Sequence, residues 1–410
     1  MMDIPNISQH ILKRCAALGF ACAGICPAHP SDFETELLDW LAAGKQGEMD
    51  YLRRNVALRL DPRAMVNGAR SMVVVADRYA GHEESTSPPR RSKAWGQVAR
   101  YARGNDYHKV MRKRLASLCE ELKRLHPDQE FRACVDTAPV LEREHAQRAG
   151  IGAVGKNTLL IERGLGSYLL LGEIITTLEL CPSAQAEPDP CGTCTRCIDA
   201  CPTQAITPWS VDATRCISYL TIEHRGAIPT QFHGAMDDWI FGCDICQEVC
   251  PHNQPTIRTR HAAVNPAYSP HRDGFDLLEV LGWDEEARQL AFLRSSMKRA
   301  KLPMMKRNAL IAAGNLLQRQ EHPDLLARIS SVAANPAEDD LVRQTASEVL
   351  QRVRSRATSE RLRLVERTDE HQKAEQDRAK DHRKPEACSD CDEPEFPAAQ
   401  RSDHQNQSPK

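Results

Sequence analysis

Four cysteines in the stretch CGTCTRCIDACP, residues 191–202, follow the spacing C-x2-C-x2-C-x3-C-P, and a chain that carries them must fold around a metal group. In such a run three thiolates ligate one [4Fe–4S] cube and the fourth reaches a second cube. A second set is therefore expected. It is present as Cys243, Cys246 and Cys250, again followed by proline, with Cys216 lying between the two sets. The count closes with Cys191, Cys194, Cys197 and Cys250 on one cube and Cys201, Cys216, Cys243 and Cys246 on the other. Structural zinc also uses paired C-x2-C thiolates. It requires neither the third cysteine nor the closing proline, so the spacing favours iron–sulfur. Two cubes move electrons singly, but the spacing does not say to what.

The remaining composition bounds the cell compartment and the partners. No basic flank followed by an apolar run opens the chain, and no stretch is long and apolar enough to span a bilayer, so a cytoplasmic protein with no membrane partner is expected. Sixteen cysteines in a reducing compartment point to metal rather than disulfides. Cys15, Cys22, Cys26 and Cys119 read as apolar packing and Cys181 as structural. A net charge of −2 excludes a globally basic nucleic-acid binder, though not local basic patches.

Along the chain, helices are expected at Ser8–Leu18, Tyr107–Leu125 and Val140–Ala149. Strands are expected at Phe20–Cys26, Ser71–Ala76, Phe131–Val135 and Ser167–Leu178. The fold class is α+β, with an α/β N-terminal domain over residues 1–180, a ferredoxin-like double-cluster domain over 181–260 and a helical region over 261–353. A weak echo between RNALIAAGNLL at Arg307 and RQTASEVLQRV at Arg343 suggests HEAT-like helical hairpins or a plain helical subdomain. Residues 354–410 are charged and poor in aliphatics and read as a disordered tail, in which Cys388 and Cys391 are incidental.

Three further features bear on chemistry. GIGAVGKN at Gly150 satisfies G-x-G-x-x-G, but a helix precedes it and an apolar stretch comes after it, so Gly150 reads as a helix C-cap rather than part of a dinucleotide site. Asp136 in VDTAPVLER follows an apolar strand, where partial burial would raise its pKa and suit it to donate a proton; it could equally cap the next helix. RSSMKRAKLPMMKR, residues 294–307, carries six cations and no acid, which suits either a phosphate backbone or a solvated helix face.

Taken in order, YARGNDYH at Tyr101, VDTAPVLER at Val135, QRAGIGAVGKN at Gln147, the twin cysteine runs, RCISYLT at Arg215, FGCDICQEVCPHN at Phe241 and KRNALIAAGN at Lys306 resemble the epoxyqueuosine reductases. The resemblance covers residues 5–350. It implies reduction of epoxyqueuosine to queuosine at the tRNA wobble position, a cobalamin in the N-terminal domain fed by the cubes, and a helical tRNA-binding repeat. It further implies Asp136 as proton donor and cobalamin contacts at Arg59, Asp136, Leu160, Leu171, Ser218, Asp244 and Ile245. Candidate tRNA contacts are Arg225, Lys298, Arg299, Lys301, Lys306 and Arg307. An external one-electron donor such as a flavodoxin or ferredoxin, and a monomeric enzyme, go with that reading. The D-x-H-x-x-G signature stops after Asp106 and His108, since Met111 holds the glycine position. Ala99 stands where some members have a cysteine. A corrinoid reductive dehalogenase and a pure electron-transfer module are the alternatives, the first sharing the cofactors and the second only the cubes.

Overall fold

A computed structural model describes residues 4–81, 94–184, 189–254, 264–355, 370 and 373–374. Residues 1–354 form one compact unit and 355–410 a second. Apart from residues 355, 370, 373 and 374, the tail lies outside the described residues, Cys388 and Cys391 included.

The strands run in chain order as β1 (Cys22–Pro27), β2 (Ser71–Arg78), β3 (Trp95–Val98), β4 (Phe131–Cys134), β5 (Ala153–Val154), β6 (Leu160–Ile161), β7 (Leu169–Thr176), β8 (Ile206–Thr207), β9 (Ser210–Val211), β10 (Trp239–Phe241) and β11 (Gly274–Asp276). The main sheet has the order β1-β2-β7-β4 and is antiparallel throughout. Its middle strands are buried along nearly their whole length and mostly apolar, because both faces are covered. On one face, the helices Ile4–Ala17 and Tyr107–Leu125 bury Ile7, Ile11, Met111, Leu115, Leu118 and Leu122 against Val73, Val75 and Ile174. On the other, the helix Glu142–Arg148 packs Ala146 against Val74, Cys134 and Ile175. These elements fall where hydrophobic periodicity puts them, with the expected helix Val140–Ala149 shortened at both ends.

The glycine-rich turn behaves as expected of a helix cap. Gly150 takes φ 75° just past the helix Glu142–Arg148, and Ile151 N donates to Ala146 O at 3.0 Å, closing the helix end. The chain then enters the small β5–β6 hairpin, not a nucleotide-binding helix. Burial pushes the Cys15 and Cys26 thiols up to about 12, in keeping with packing, whereas Cys181 is exposed.

The second sheet crosses the expected domain boundaries. β3 pairs in parallel with β10 and antiparallel with β11, so strands from residues 95–98, 239–241 and 274–276 share one ladder. The short helices Leu277–Gly282 and Glu285–Ala291 come next, followed by three longer helical stretches, Leu302–Leu317, Pro323–Ala334 and 340–355. Met305, Ala309, Leu325, Ile329, Val342 and Ala346 join Val98, Ile240 and Phe275 in one core. No described helix is long and apolar enough to cross a membrane.

Two cations of the basic run are not available to phosphate. Lys306 is buried against Glu338 at 2.8 Å. Arg307 is fully buried and donates to the carbonyls of Leu220 at 2.7 Å, His224 at 2.8 Å and Gly226 at 2.6 Å, and to Asn308 Oδ1. Asn308 Nδ2 donates to Thr221 O and Ile240 O, and Asn315 Nδ2 to His233 O and Asp237 O. KRNALIAAGN is thus a clamp that binds loop carbonyls to the helix Leu302–Leu317. The reading of Lys306 and Arg307 as tRNA contacts is corrected: the charge pattern along a helix does not say which cation meets buried acceptors. Arg307→Met should cost on the order of 3 kcal/mol because it leaves those carbonyls unpaired, seen as a lower denaturation midpoint at unchanged cluster content; an unchanged midpoint would show that the clamp adds no stability.

Candidate active site

Asp136 sits two residues beyond β4 with φ 41°, a left-handed conformation that aspartate tolerates better than most residues. Its backbone N–H donates to Glu142 Oε1 at 2.5 Å. The helix begins only at Glu142 with Leu141 before it, so Asp136 does not cap it. The carboxyl is free for other work, and its side chain is half exposed, at 50%.

Oδ2 of Asp136 accepts from Tyr107 Oη at 2.7 Å and contacts His108 Nε2 at 2.8 Å. Both partners come from the start of the helix Tyr107–Leu125, which Asp106 caps by accepting from His108 N. Asp106 Oδ1 also lies 2.9 Å from His108 Nδ1. The imidazole is stacked on the Tyr107 ring with centroids 4.0 Å apart. Burial lowers the His108 pKa, but the hydrogen bonds and charges of Asp106 and Asp136 carry it up to about 9.

The expected raised pKa of Asp136 is overturned. Burial does push it up, yet hydrogen bonds from His108 and Tyr107 and the charges of His108 and Arg299 outweigh that and hold it below the usual range. The elevated carboxyls stand behind it. Glu142 is pushed up to about 8 by burial and by the charge of Asp136. Glu173, in β7, is fully buried with both oxygens unpaired and is pushed well above the carboxylate range by burial.

Around this carboxyl the structure gathers Arg59, whose ionisation feels Tyr51, Glu142 and Asp136 and whose Nε is buried without a partner. Arg299 lies over the Tyr51 ring at 5.0 Å and pairs with Glu223. Leu160 and Leu171 are buried together on the sheet face that carries Cys134. Ser218, Asp244 and Ile245 lie instead along the cysteine loops. The backbone N–H groups of Ser218 and Ile245 donate to Cys216 and Cys243. Asp244 is buried, accepts from Arg100 N at 2.7 Å, and is pushed up to about 6 by burial against the Arg100 N–H and the charges of Arg103 and Arg100. Ala99 is pressed so closely on Gly242 that a Cβ there would come within 2.5 Å of its own.

Cys191, Cys194, Cys197 and Cys250 line one cavity of about 240 Å³ with Asn157, Pro190 and His252. Burial raises Cys197 and Cys250, and each also feels Cys191 and Cys194. In the other set burial raises Cys216, Cys243 and Cys246; Cys216 feels Cys201, Cys243 feels Cys216 and Cys201, and Cys246 feels Cys243 and Cys216. Among the described residues no three His, Cys, Asp or Glu side chains converge on the position of a single ion. Lys156, the residue after the misleading glycines, donates to Gly192 O at 2.7 Å and Cys194 O at 3.0 Å and so fixes the first cysteine loop. Sequence reasoning missed Lys156, Tyr107, His108 and Glu142 as site residues. Only the D-x-H start at Asp106 was a signal for them.

Residues 190–253 match the family described as a 4Fe-4S double cluster binding domain, and residues 59–137 match the family described as Epoxyqueuosine reductase QueG. The chain is 39% identical to the epoxyqueuosine reductase of Cyclobacterium marinum, over 75% of this chain and 97% of the relative. It is 36% identical to that of Escherichia coli over 77% of this chain and 82% of the relative. In solved structures it is similar to an epoxyqueuosine reductase crystallised with an epoxyqueuosine-modified tRNA-Tyr stem loop, at a TM-score of 0.77 and 26% identity, over 86% of this chain and 91% of the other.

Serine at Cys250 should abolish only the cube of Cys191, Cys194 and Cys197, and serine at Cys216 only the other, each halving iron from about eight atoms per chain. Equal loss from both cubes in either variant would show that the two sets are not separate.

Proposed function

The chain is a member of the epoxyqueuosine reductase family, and we propose that it reduces the epoxide of epoxyqueuosine in tRNA to the alkene of queuosine. The observation that carries this is Asp136: a half-exposed acid group with one oxygen held by Tyr107 and His108, the other without a protein partner among the described residues, and Arg59 near enough to feel its charge. Removing an epoxide oxygen requires that it leave as water, and a held carboxyl with one open oxygen is placed to deliver protons to it.

Cys191, Cys194, Cys197 and Cys250, and Cys201, Cys216, Cys243 and Cys246, would hold two [4Fe–4S] clusters that supply electrons singly, drawn from an external donor of the flavodoxin or ferredoxin kind by a monomeric enzyme. Cobalamin fits the cleft. Arg59 Nε, buried without a partner and close enough to feel Asp136, is a donor that the amide-fringed corrin would pair with. Arg59, Asp136, Leu160 and Leu171 would hold it from the sheet side, and Ser218, Asp244 and Ile245 from the cluster side. When bound and reduced, cobalamin supplies the low-potential electrons that open the epoxide.

Arg299 keeps a positive charge beside Asp136 and near the substrate. With it, Lys298 and Lys301, both exposed, flank the start of the helix Leu302–Leu317 and offer cations to an anticodon-loop backbone. Arg225 is less free, since its Nη1 meets Met304 Sδ at 3.6 Å and its N–H meets Glu48. The three helices from residue 302 onward serve as a HEAT-like platform for the tRNA.

The test is anaerobic turnover: enzyme reconstituted with iron, sulfide and cobalamin, plus a reductant, should remove one oxygen from an epoxyqueuosine stem loop by mass spectrometry. No product with both cofactors spectroscopically present would overturn the reading. Asp136→Ala should keep both cofactors and lose turnover by ~10²–10⁴; a rate near that of the parent would strip Asp136 of its role. Reversing charge at Lys298 and Lys301 should flatten the salt dependence of stem-loop binding by about 1.4 in log–log slope, and an unchanged slope would discard those contacts.

A further inference from the structure

Reduction of an epoxide to an alkene has a proton balance that Asp136 alone does not meet. An epoxide, two electrons and two protons give an alkene and water. Cleavage of the first C–O bond leaves the oxygen as a hydroxyl and takes one proton; cleavage of the second releases water and takes another. The electrons are those of the external donor. A single carboxyl carries one proton at most, and the surroundings of Asp136 favour its ionised form.

We propose that His108, oriented by Asp106, supplies through Asp136 each proton that the reaction consumes, the imidazolium giving up its proton as Asp136 passes one to the departing oxygen. The inference rests on the reductase reading and assigns its proton source. His108 acts through Asp136, so it is a positioning and proton-feeding residue rather than one that touches the substrate.

The geometry selects it from the groups around Asp136. Oδ2 takes both hydrogen bonds, from Tyr107 and from His108, while among the described residues no protein group is bonded to Oδ1. One oxygen thus faces the supply and the other the cleft. Tyr107 does not release its proton, because burial and the charge of Asp136 push its phenol far above the usual range. Glu142 meets the Asp136 peptide N–H rather than its carboxyl. Arg299 stays charged, its pKa raised by Glu223 against the pull of burial. His108 remains: 2.8 Å from the carboxyl, tied at its other nitrogen to Asp106, and 24% exposed, so that solvent can recharge it between the two deliveries.

The groups facing the imidazole are Asp106 and Tyr107 on its own helix, Asp136 from the loop beyond β4 and Glu142 beyond that loop. The carboxylates keep the ring charged up to about pH 9. The donor form is present below that pH and lost above it, so the rate should fall as pH rises through it.

Two measurements test this on the full chain. In the first, single-turnover rates on the epoxyqueuosine stem loop are followed against pH with pre-reduced, cofactor-loaded enzyme. The parent should lose rate above about pH 9. Asp106→Asn should move that limb down toward the ordinary histidine value near pH 6.5. His108→Gln should abolish the limb and slow the reaction by ~10² or more, with stem-loop affinity and both cofactor spectra kept. A limb unmoved in Asp106→Asn, or a His108→Gln rate within twofold of the parent, would overturn the proposal.

In the second, the His108 ring is titrated by ¹⁵N NMR in the cluster-loaded protein, its signal assigned by absence in His108→Gln. A ring charged at pH 7.5 is expected. A neutral ring there overturns the proton source even where turnover occurs, whereas a charged ring in a protein that never reduces the stem loop counts against the reaction and not against the ring.

Discussion

Strand β3 is the element on which both the sheet half and the cluster half depend. It is four residues long, yet it is flanked by β10, which leads into the second cysteine run, and by β11, which leads into the C-terminal helices. Ala99 N donates to Phe241 O at 2.8 Å and Arg100 N to Asp244 at 2.7 Å, so the loop holding Cys243 and Cys246 is set by backbone bonds to the residues just after β3. The approach is so close that a Cβ on Gly96 would come within 2.9 Å of Ile240 and Leu277 side chains, and one on Gly242 would strike Ala99. Glycine at those two places is a condition for the sheet, and the sheet is a condition for presenting a cluster to the cleft. The domains drawn from composition are therefore not independent bodies.

The cysteine sets show how the apoprotein is made ready for metal. Burial, with neighbouring thiols, raises Cys197, Cys216, Cys243, Cys246 and Cys250, so loading the cubes must displace protons from them. The sulfurs are then stabilised by N–H groups already in place: Lys156 N at 3.4 Å from Cys191, Ala205 N at 3.3 Å from Cys201, and those of Ser218 and Ile245. Such bonds help set cluster potential. Cys246 also feels Cys197, a cysteine of the other set.

Much of this was legible in the residues because it follows local periodicity or spacing. β2 is an apolar run, Met111, Leu115, Leu118 and Leu122 recur on one helical face, and the ferredoxin spacing divides the cysteines into the sets the structure brings together. The hidden parts depend on partners far away in the chain. Trp95–Val98 reads as part of a basic and aromatic stretch, and nothing local says that it pairs with residues 239–241 and 274–276. Lys306 and Arg307 look like Lys298 and Lys301 in a charge count; only the carboxylate of Glu338 and the loop carbonyls distinguish them. The sign of the Asp136 pKa shift was missed for the same reason, since burial can be guessed from a strand end but a histidine 28 residues earlier cannot.

That sign in turn orders the charges of the cleft. Glu142 feels Asp136, and Glu173 feels both, on top of the burial that raises each; in a poorly solvated site adjacent carboxyls do not ionise together. Only Asp136 has a cation in hydrogen-bond contact, so it takes the negative charge. That charge holds Glu142 up, and both hold up Glu173, which has no donor to stabilise an anion. The result is one carboxylate facing His108, with Arg59 and Arg299 nearby, and two neutral acids behind it. The cations His108, Arg59 and Arg299 are matched by Asp136, by Asp106 on the other nitrogen of His108 and by Glu223 on Arg299. It is therefore the local placement of the cations, not a net charge, that suits the negative charge developing on a departing epoxide oxygen. The same low pKa that disqualifies Asp136 as a proton store makes a separate hand-off from the imidazolium uphill, so Asp136 must pass its proton to the departing oxygen as His108 gives one up.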